Sequence, residues 1–146
     1  MAVTADQMLG MSKRQLDDLF GSHAAGEIPH GEARGTVIIR MGRWLSVLVS
    51  KIAHRIAWQG KVFDPVRGEL RNEISPLRAK AIRAKVYKAP SWFDQKECIV
   101  LDYSRTSFVA RKIRDEIREV SPGVFLGIVY WGRAKLINFA LTFPPP

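Results

Sequence analysis

The run Ile113-Arg114-Asp115-Glu116-Ile117-Arg118-Glu119-Val120 holds the residue best placed to do chemistry. Alternate side chains of a strand point to opposite faces, so Ile113, Asp115 and Ile117 share one side and Arg114, Glu116 and Arg118 the other. The second set reads as the wet face, which turns Asp115 toward an apolar interior. There, desolvation raises a carboxyl's pKa unless a cation or several donors hold it charged, the profile of a general acid or base. Beside this stands a structural reading, with Asp115 tied to a neighbouring arginine or to backbone groups.

Two further groups could join it. Asp102 shares a face with Val100, and if that face looks inward the two carboxylates approach one another and split acid and base roles. The alternative is that Asp102 caps the turn through Ser104, Arg105 and Thr106. Tyr130 follows Val124, Leu126 and Ile128 on one face, so an inward hydroxyl needs a partner, and Asp115 on the preceding strand is the candidate. Trp58, Phe63, Tyr103 and Trp131 supply aromatic surface suited to an apolar cavity with a few polar handles, although aromatic residues on strands also serve as plain core.

Other chemistries find no support in the spacing. His23, His30 and His54 do not form a zinc pattern, so no metal site is expected. The serines lack a Gly-x-Ser-x-Gly setting, and neither a phosphate loop nor a dinucleotide fingerprint is present, so no cofactor is expected. Cys98, the one cysteine, lies within the apolar run Cys98-Ile99-Val100-Leu101 and reads as a buried, inert thiol.

The elements that must position these groups are mostly strands. Residues 1–11 are expected to be disordered. A short helix opens at Ser12, with Gln15 in the capping-box position and Leu16, Leu19 and Phe20 on one face, and ends at Gly21. Gly21 to Gly35 reads as a loop. The helical spacing of Leu45, Leu48, Val49, Ile52, Ala53 and Ile56 predicts an amphipathic helix from Trp44 to Ile56. Strands are expected at Gly35–Arg40, Ala57–Phe63, Gly68–Ile74, Ala81–Tyr87, Glu97–Tyr103, Phe108–Val120, Val124–Trp131 and Lys135–Phe143, separated by Pro, Gly, Ser and Asp turn chemistry. Most of the connections are short enough for antiparallel neighbours. The expected fold is therefore all-β with one or two short helices, an eight-stranded antiparallel lipocalin-like barrel over residues 12–146; an open sheet packed on the 44–56 helix is the rival.

Gly31-Glu32-Ala33-Arg34-Gly35, a helix, and then Trp58-Gln59-Gly60-Lys61-Val62-Phe63-Asp64 resemble the layout of a bacterial family named for its Gly-x-Trp-x-Gly motif, with its associated domain of unknown function. Leu101-Asp102-Tyr103-Ser104, Ile113-Arg114-Asp115-Glu116, Pro122 to Ile128 and Phe139-Ala140-Leu141 are similar to later pieces of that family. Ala33 stands where the naming motif has tryptophan, which makes the chain resemble a cousin within the lipocalin-like or calycin-like class. The resemblance implies a ligand-holding barrel and carries over no catalytic residue.

Composition bounds what such a barrel would do. The chain has 146 residues, 47% of them apolar, enough for one core. No apolar run approaches the roughly 20 residues of a membrane-spanning helix. The first ten residues lack the pattern of a secretory signal, so a cytoplasmic location is expected. Twenty-three Lys and Arg against fourteen Asp and Glu give a net charge of +9, which favours solubility and weak electrostatic contact with anionic lipid or nucleic acid. The leading expectation is a carrier of a small, mainly apolar ligand, lipid- or fatty-acid-like, inside the barrel. The alternative is a cofactor-independent enzyme using Asp115 as acid or base, assisted by Tyr130 or Asp102.

Overall fold

A computed structural model describes residues 2–38, 57–64, 69–75, 82–104 and 111–144. The predicted 44–56 helix lies outside these residues. The fold is mostly β and antiparallel, with two short helices at its start. The helices are α1 (Ala5–Leu9) and α2 (Lys13–Gly21), and the strands are β1 (Gly31–Ile38), β2 (Ala57–Asp64), β3 (Glu69–Ser75), β4 (Ile82–Pro90), β5 (Glu97–Asp102), β6 (Ile113–Ser121), β7 (Val124–Trp131) and β8 (Ala134–Thr142).

Six strands, in the order β4-β5-β6-β7-β8-β1, form the antiparallel sheet that carries the packing described below. β2 and β3, described through their main chain, pair antiparallel with each other, β2 also with β1 and β3 with β4. β1 divides its pairing: Gly31 to Ala33 pair with Phe63 to Lys61 of β2, and Arg34 to Ile38 pair with Thr142 to Asn138 of β8.

Side-chain parity splits the apolar residues into two cores. Ala84, Val86, Ile99, Leu101, Ile117, Phe125, Phe139 and Leu141 pack together on the inner face, where Ala25 and Ile28 from the α2–β1 connection join them. Val100, Leu126, Ile128, Tyr130 and Ala140 point the other way, against Met8 of α1 and Leu16 and Phe20 of α2. β7 is thus buried on both faces, which explains its near-continuous apolar sequence. On the inner face β7 and β8 meet tightly at Gly127, where a Cβ would fall 2.2 Å from the ring of the paired Phe139. Only glycine leaves room for that ring to cross the strand.

Several sequence expectations are corrected. Residues 1–11, expected to be disordered, contain α1, which is closed by a Thr4–Gln7 capping box and anchored by the fully buried Met8. β1 begins at Gly31, inside the stretch read as a loop, because pairing with β2 and β8 outweighs a local sequence rich in glycine. β6 starts at Ile113 rather than Phe108; residues 111 and 112 lie in a turn and 105–110 fall outside the described residues. The helix opening at Ser12 forms with its capping box, the Ser12 hydroxyl accepting from the Gln15 N–H.

The largest correction concerns the outer face of β6, predicted to be wet. Glu116 and Arg118 are both 0% exposed there. α2 and the loop Ser91–Lys96 cover them, and their charges are answered internally. The Arg118 guanidinium donates to both Asp94 carboxylate oxygens at 2.7 Å and to the carbonyls of Phe20 (2.9 Å), Lys96 (3.0 Å) and Glu97 (3.1 Å). Its carbon also sits 4.4 Å from the centre of the Phe20 ring. Glu116 accepts from the Ser91 hydroxyl (2.5 Å), the Trp92 N–H (2.8 Å) and Arg114 Nε (3.1 Å).

Three outcomes follow from this packing. Arg118→Met should lower the unfolding free energy by about 3 kcal/mol or more, since a partly buried carboxylate and three carbonyls lose their donors together; urea denaturation measures it. Arg118 donates hydrogen bonds to Asp94 that hold its carboxyl below the usual carboxylate range. The Asp94 contribution is therefore present at neutral pH and is lost as pH falls through its depressed folded-state value. The denaturation midpoint should drop on acidification below about pH 4, and Asp94→Asn should weaken that dependence. Gly127→Ala should destabilise by about 1–3 kcal/mol through overpacking, with a smaller effect in a Phe139→Leu background.

Candidate functional site

Two places gather polar groups in geometry that could serve a ligand, one on the inner face and one at an end of the sheet.

On the inner face, Asp115 lies between Ile113 and Ile117 along β6 and is 4% exposed. Its main-chain partner on β5 is Leu101, and on β7 Val129. The Tyr103 hydroxyl, also buried, donates to Asp115 Oδ2 at 3.4 Å. A carboxylate and a phenol thus meet at the edge of a cluster otherwise made of Val86, Ile99, Leu101, Ile117, Phe125 and Phe139. Tyr103 had been read as one of several lining rings; its pairing with Asp115 could be found only by knowing that β5 and β6 are neighbours in this register.

The other predicted partners of Asp115 lie elsewhere. Asp102 pairs with Arg114, one register position from Asp115, and so occupies the opposite face. It caps the turn, accepting from the Ser104 N–H at 2.9 Å, and also accepts from the Tyr87 hydroxyl at 2.9 Å. Partial burial alone would raise its pKa, but the bonds from Ser104 and Tyr87 and the charge of Arg114 hold it below the usual range. Tyr130 pairs with Arg114 and packs on the outer face, edge-on to Trp92 with ring centres 5.3 Å apart. Burial, followed by the nearby Glu116 charge, pushes its phenol up to about 12. Asp102, Asp115 and Tyr130 therefore do not form one acid–base constellation.

Of the remaining predicted residues, Trp131 is 45% exposed at the end of β7. Trp58 and Phe63 lie on β2, with Trp58 opposite Ile74 and Phe63 opposite Leu70. His23 Nδ1 lies 2.9 Å from the Leu19 carbonyl, at the end of α2; His54 is outside the described residues. Among the described residues no group of His, Cys, Asp and Glu is disposed to hold a metal ion, and no helix is long and apolar enough to cross a membrane.

At the end of the sheet where β5 stops and β6 begins, a cleft of about 440 Å³ opens between Trp92, Asp102, the 111–114 segment and the Gly132–Arg133 turn. Arg111, Lys112, Arg114 and Arg133 line it against one carboxylate, Asp102. Positive φ at Gly132 makes the tight β7–β8 turn that presents Arg133. The Arg114 and Arg133 guanidinium carbons sit 4.3 Å and 4.2 Å from the Trp92 ring centre. Sequence reading saw these cations only as part of a dispersed basic surface, because they come from separate elements.

Cys98 is fully buried on the outer face, and burial, with the Glu116 charge adding to it, pushes its thiol up to about 12. Native protein at pH 8 should resist iodoacetamide and become alkylated only on unfolding, as intact-mass spectrometry would show; rapid native labelling would contradict the buried placement.

No family model matches this chain, and no curated protein matches it. Among solved structures it is similar to one described as "Crystal structure of protein from Thermomonospora curvata", with a TM-score of 0.61 and 18% identity over 92% of this chain and 89% of that one. At this identity the likeness establishes a shared fold and nothing about activity.

Proposed function

We propose that the protein binds a small, mainly apolar molecule with a polar head on the inner face of a lipocalin-like barrel. One observation carries the reading: the Tyr103–Asp115 pair is buried at the margin of an inner surface that is otherwise apolar among the described residues. Such a surface with one polar handle suits a lipid- or fatty-acid-like ligand, whose chain gains from leaving water and whose head is oriented by a few placed groups. The ring-like order of antiparallel strands supports the lipocalin-like assignment, since sheets of this kind enclose their ligands between the strands. Asp102 and Tyr130 lie on the face of the sheet opposite Asp115, which favours a binding role over one in which they assist Asp115 as acid or base.

Organic extraction of the purified protein followed by mass spectrometry should recover a small amphiphile, and a dansylated fatty acid should bind saturably at one per chain. Leu101→Trp, which fills the inner face, should weaken that binding by about tenfold or more, equivalent to about 1.4 kcal/mol. Absence of both a co-purifying molecule and saturable probe binding overturns the proposal.

A further inference from the structure

We infer that the cleft between Trp92, Arg114 and the Gly132–Arg133 turn is a binding site for a phosphate group, independent of anything held on the inner face. Four cations converge on one concavity with a single carboxylate among them. Asp102 and the Glu116 that pairs with Arg114 set two carboxylates against the four cations, so among the described residues the lining keeps an excess of positive charge. Among the described residues neither Lys112 nor Arg133 has a carboxylate within ion-pair distance.

Two of the cations are held in place before any ligand arrives. Arg114 donates through Nε to Glu116 and through Nη2 to the Pro90 carbonyl at 3.0 Å, while its plane rests on Trp92. Arg133 is presented by a tight turn and rests on the same indole. Arg114 already has the Glu116 carboxylate at 3.1 Å as its counter-charge, so an added anion gains most from Arg133 and Lys112, whose charges have none among the described residues. Guanidinium forks match the oxygens of a phosphate in pairs, and a lysine beside them adds a point charge. Several charged donors around one concavity favour a phosphate group, ester or diester, whose oxygens can be shared among them, over a carboxylate. With both guanidiniums resting on it, Trp92 serves as the platform that orients them.

The chemistry is common to a soluble phosphate ester and a phospholipid headgroup, and the experiment separates them. Indole N–H signals of the four tryptophans are followed by NMR, with Trp92 assigned through Trp92→Phe, during titration with inorganic phosphate and glycerol phosphate. In parallel, binding is measured to vesicles of phosphatidylglycerol in phosphatidylcholine and of phosphatidylcholine alone. A saturable shift of the Trp92 signal with the soluble probes assigns the site to small phosphates. Binding to the phosphatidylglycerol vesicles without that shift assigns it to headgroups. Both outcomes require that Lys112→Gln with Arg133→Gln weaken the interaction about tenfold or more, as expected for loss of two charge-assisted contacts. Lys13→Gln with Lys88→Gln removes the same charge elsewhere and should have little effect. These four side chains are exposed, and unchanged denaturation midpoints will show that both pairs fold. Failure of both probes to bind, or equal weakening by the two pairs, overturns the inference.

Discussion

The arrangement turns on the fully buried guanidinium of Arg118. An isolated charge removed from water is strongly unfavourable, so this one persists only because five hydrogen bonds and an aromatic face surround it. Those partners come from the end of α2, from Asp94 and Lys96 in the β4–β5 loop, and from the start of β5. One side chain on β6 therefore fixes where three other segments lie. A hydrophobic contact could slide; a forked donor with five acceptors accepts one position.

Glu116, two residues earlier on the same face, extends this order toward the cleft. It fixes Ser91, the main chain at Trp92, and Arg114. Trp92 then receives Arg114 and Arg133 and packs against Tyr130. The basic cleft thus stands at the end of a chain of buried polar contacts, so its geometry is inherited from the core. On the other side of β6, the alternate residues Ile113, Asp115 and Ile117 face the inner cluster. One strand in this way serves both candidate sites, its two faces divided by the pleat.

Much of this was legible in sequence, and the failures on the strands share one cause. Local signals read well: the Ser12 capping box, the Val124–Trp131 strand and the β-rich antiparallel class are all present in the structure. Parity correctly grouped Asp115 with Ile113 and Ile117, and the capping role of Asp102 was among the readings considered. What parity could not tell was that the opposite face of β6 is also covered. Arg114, Glu116 and Arg118 look like a solvent face because charged residues rarely lie buried. Their burial depends on α2 and the Ser91–Lys96 loop, which are distant in sequence. The same blindness placed Tyr130 inside: an apolar run buried on both faces does not reveal which of them is the interior. α1 was missed because five residues give too short a pattern, although Thr4 and Gln7 carried its cap.

The way α1 and α2 dock has a consequence for the order in which the protein is made. Both helices leave the ribosome well before β6, β7 and β8, about 90 residues later in the sequence, which build the face they cover. The bond from the Ser121 hydroxyl to the Val3 carbonyl spans 118 residues, and that from Arg118 to the Phe20 carbonyl spans 98. During synthesis Met8, Leu16 and Phe20 therefore present an apolar stripe with no native partner until those strands have emerged. Contacts so far apart close late and slow the search for the native state. The helical start of this chain is thus its most vulnerable part before folding and a cover for its outer core afterwards, and nascent-chain chaperones would find it the natural segment to hold.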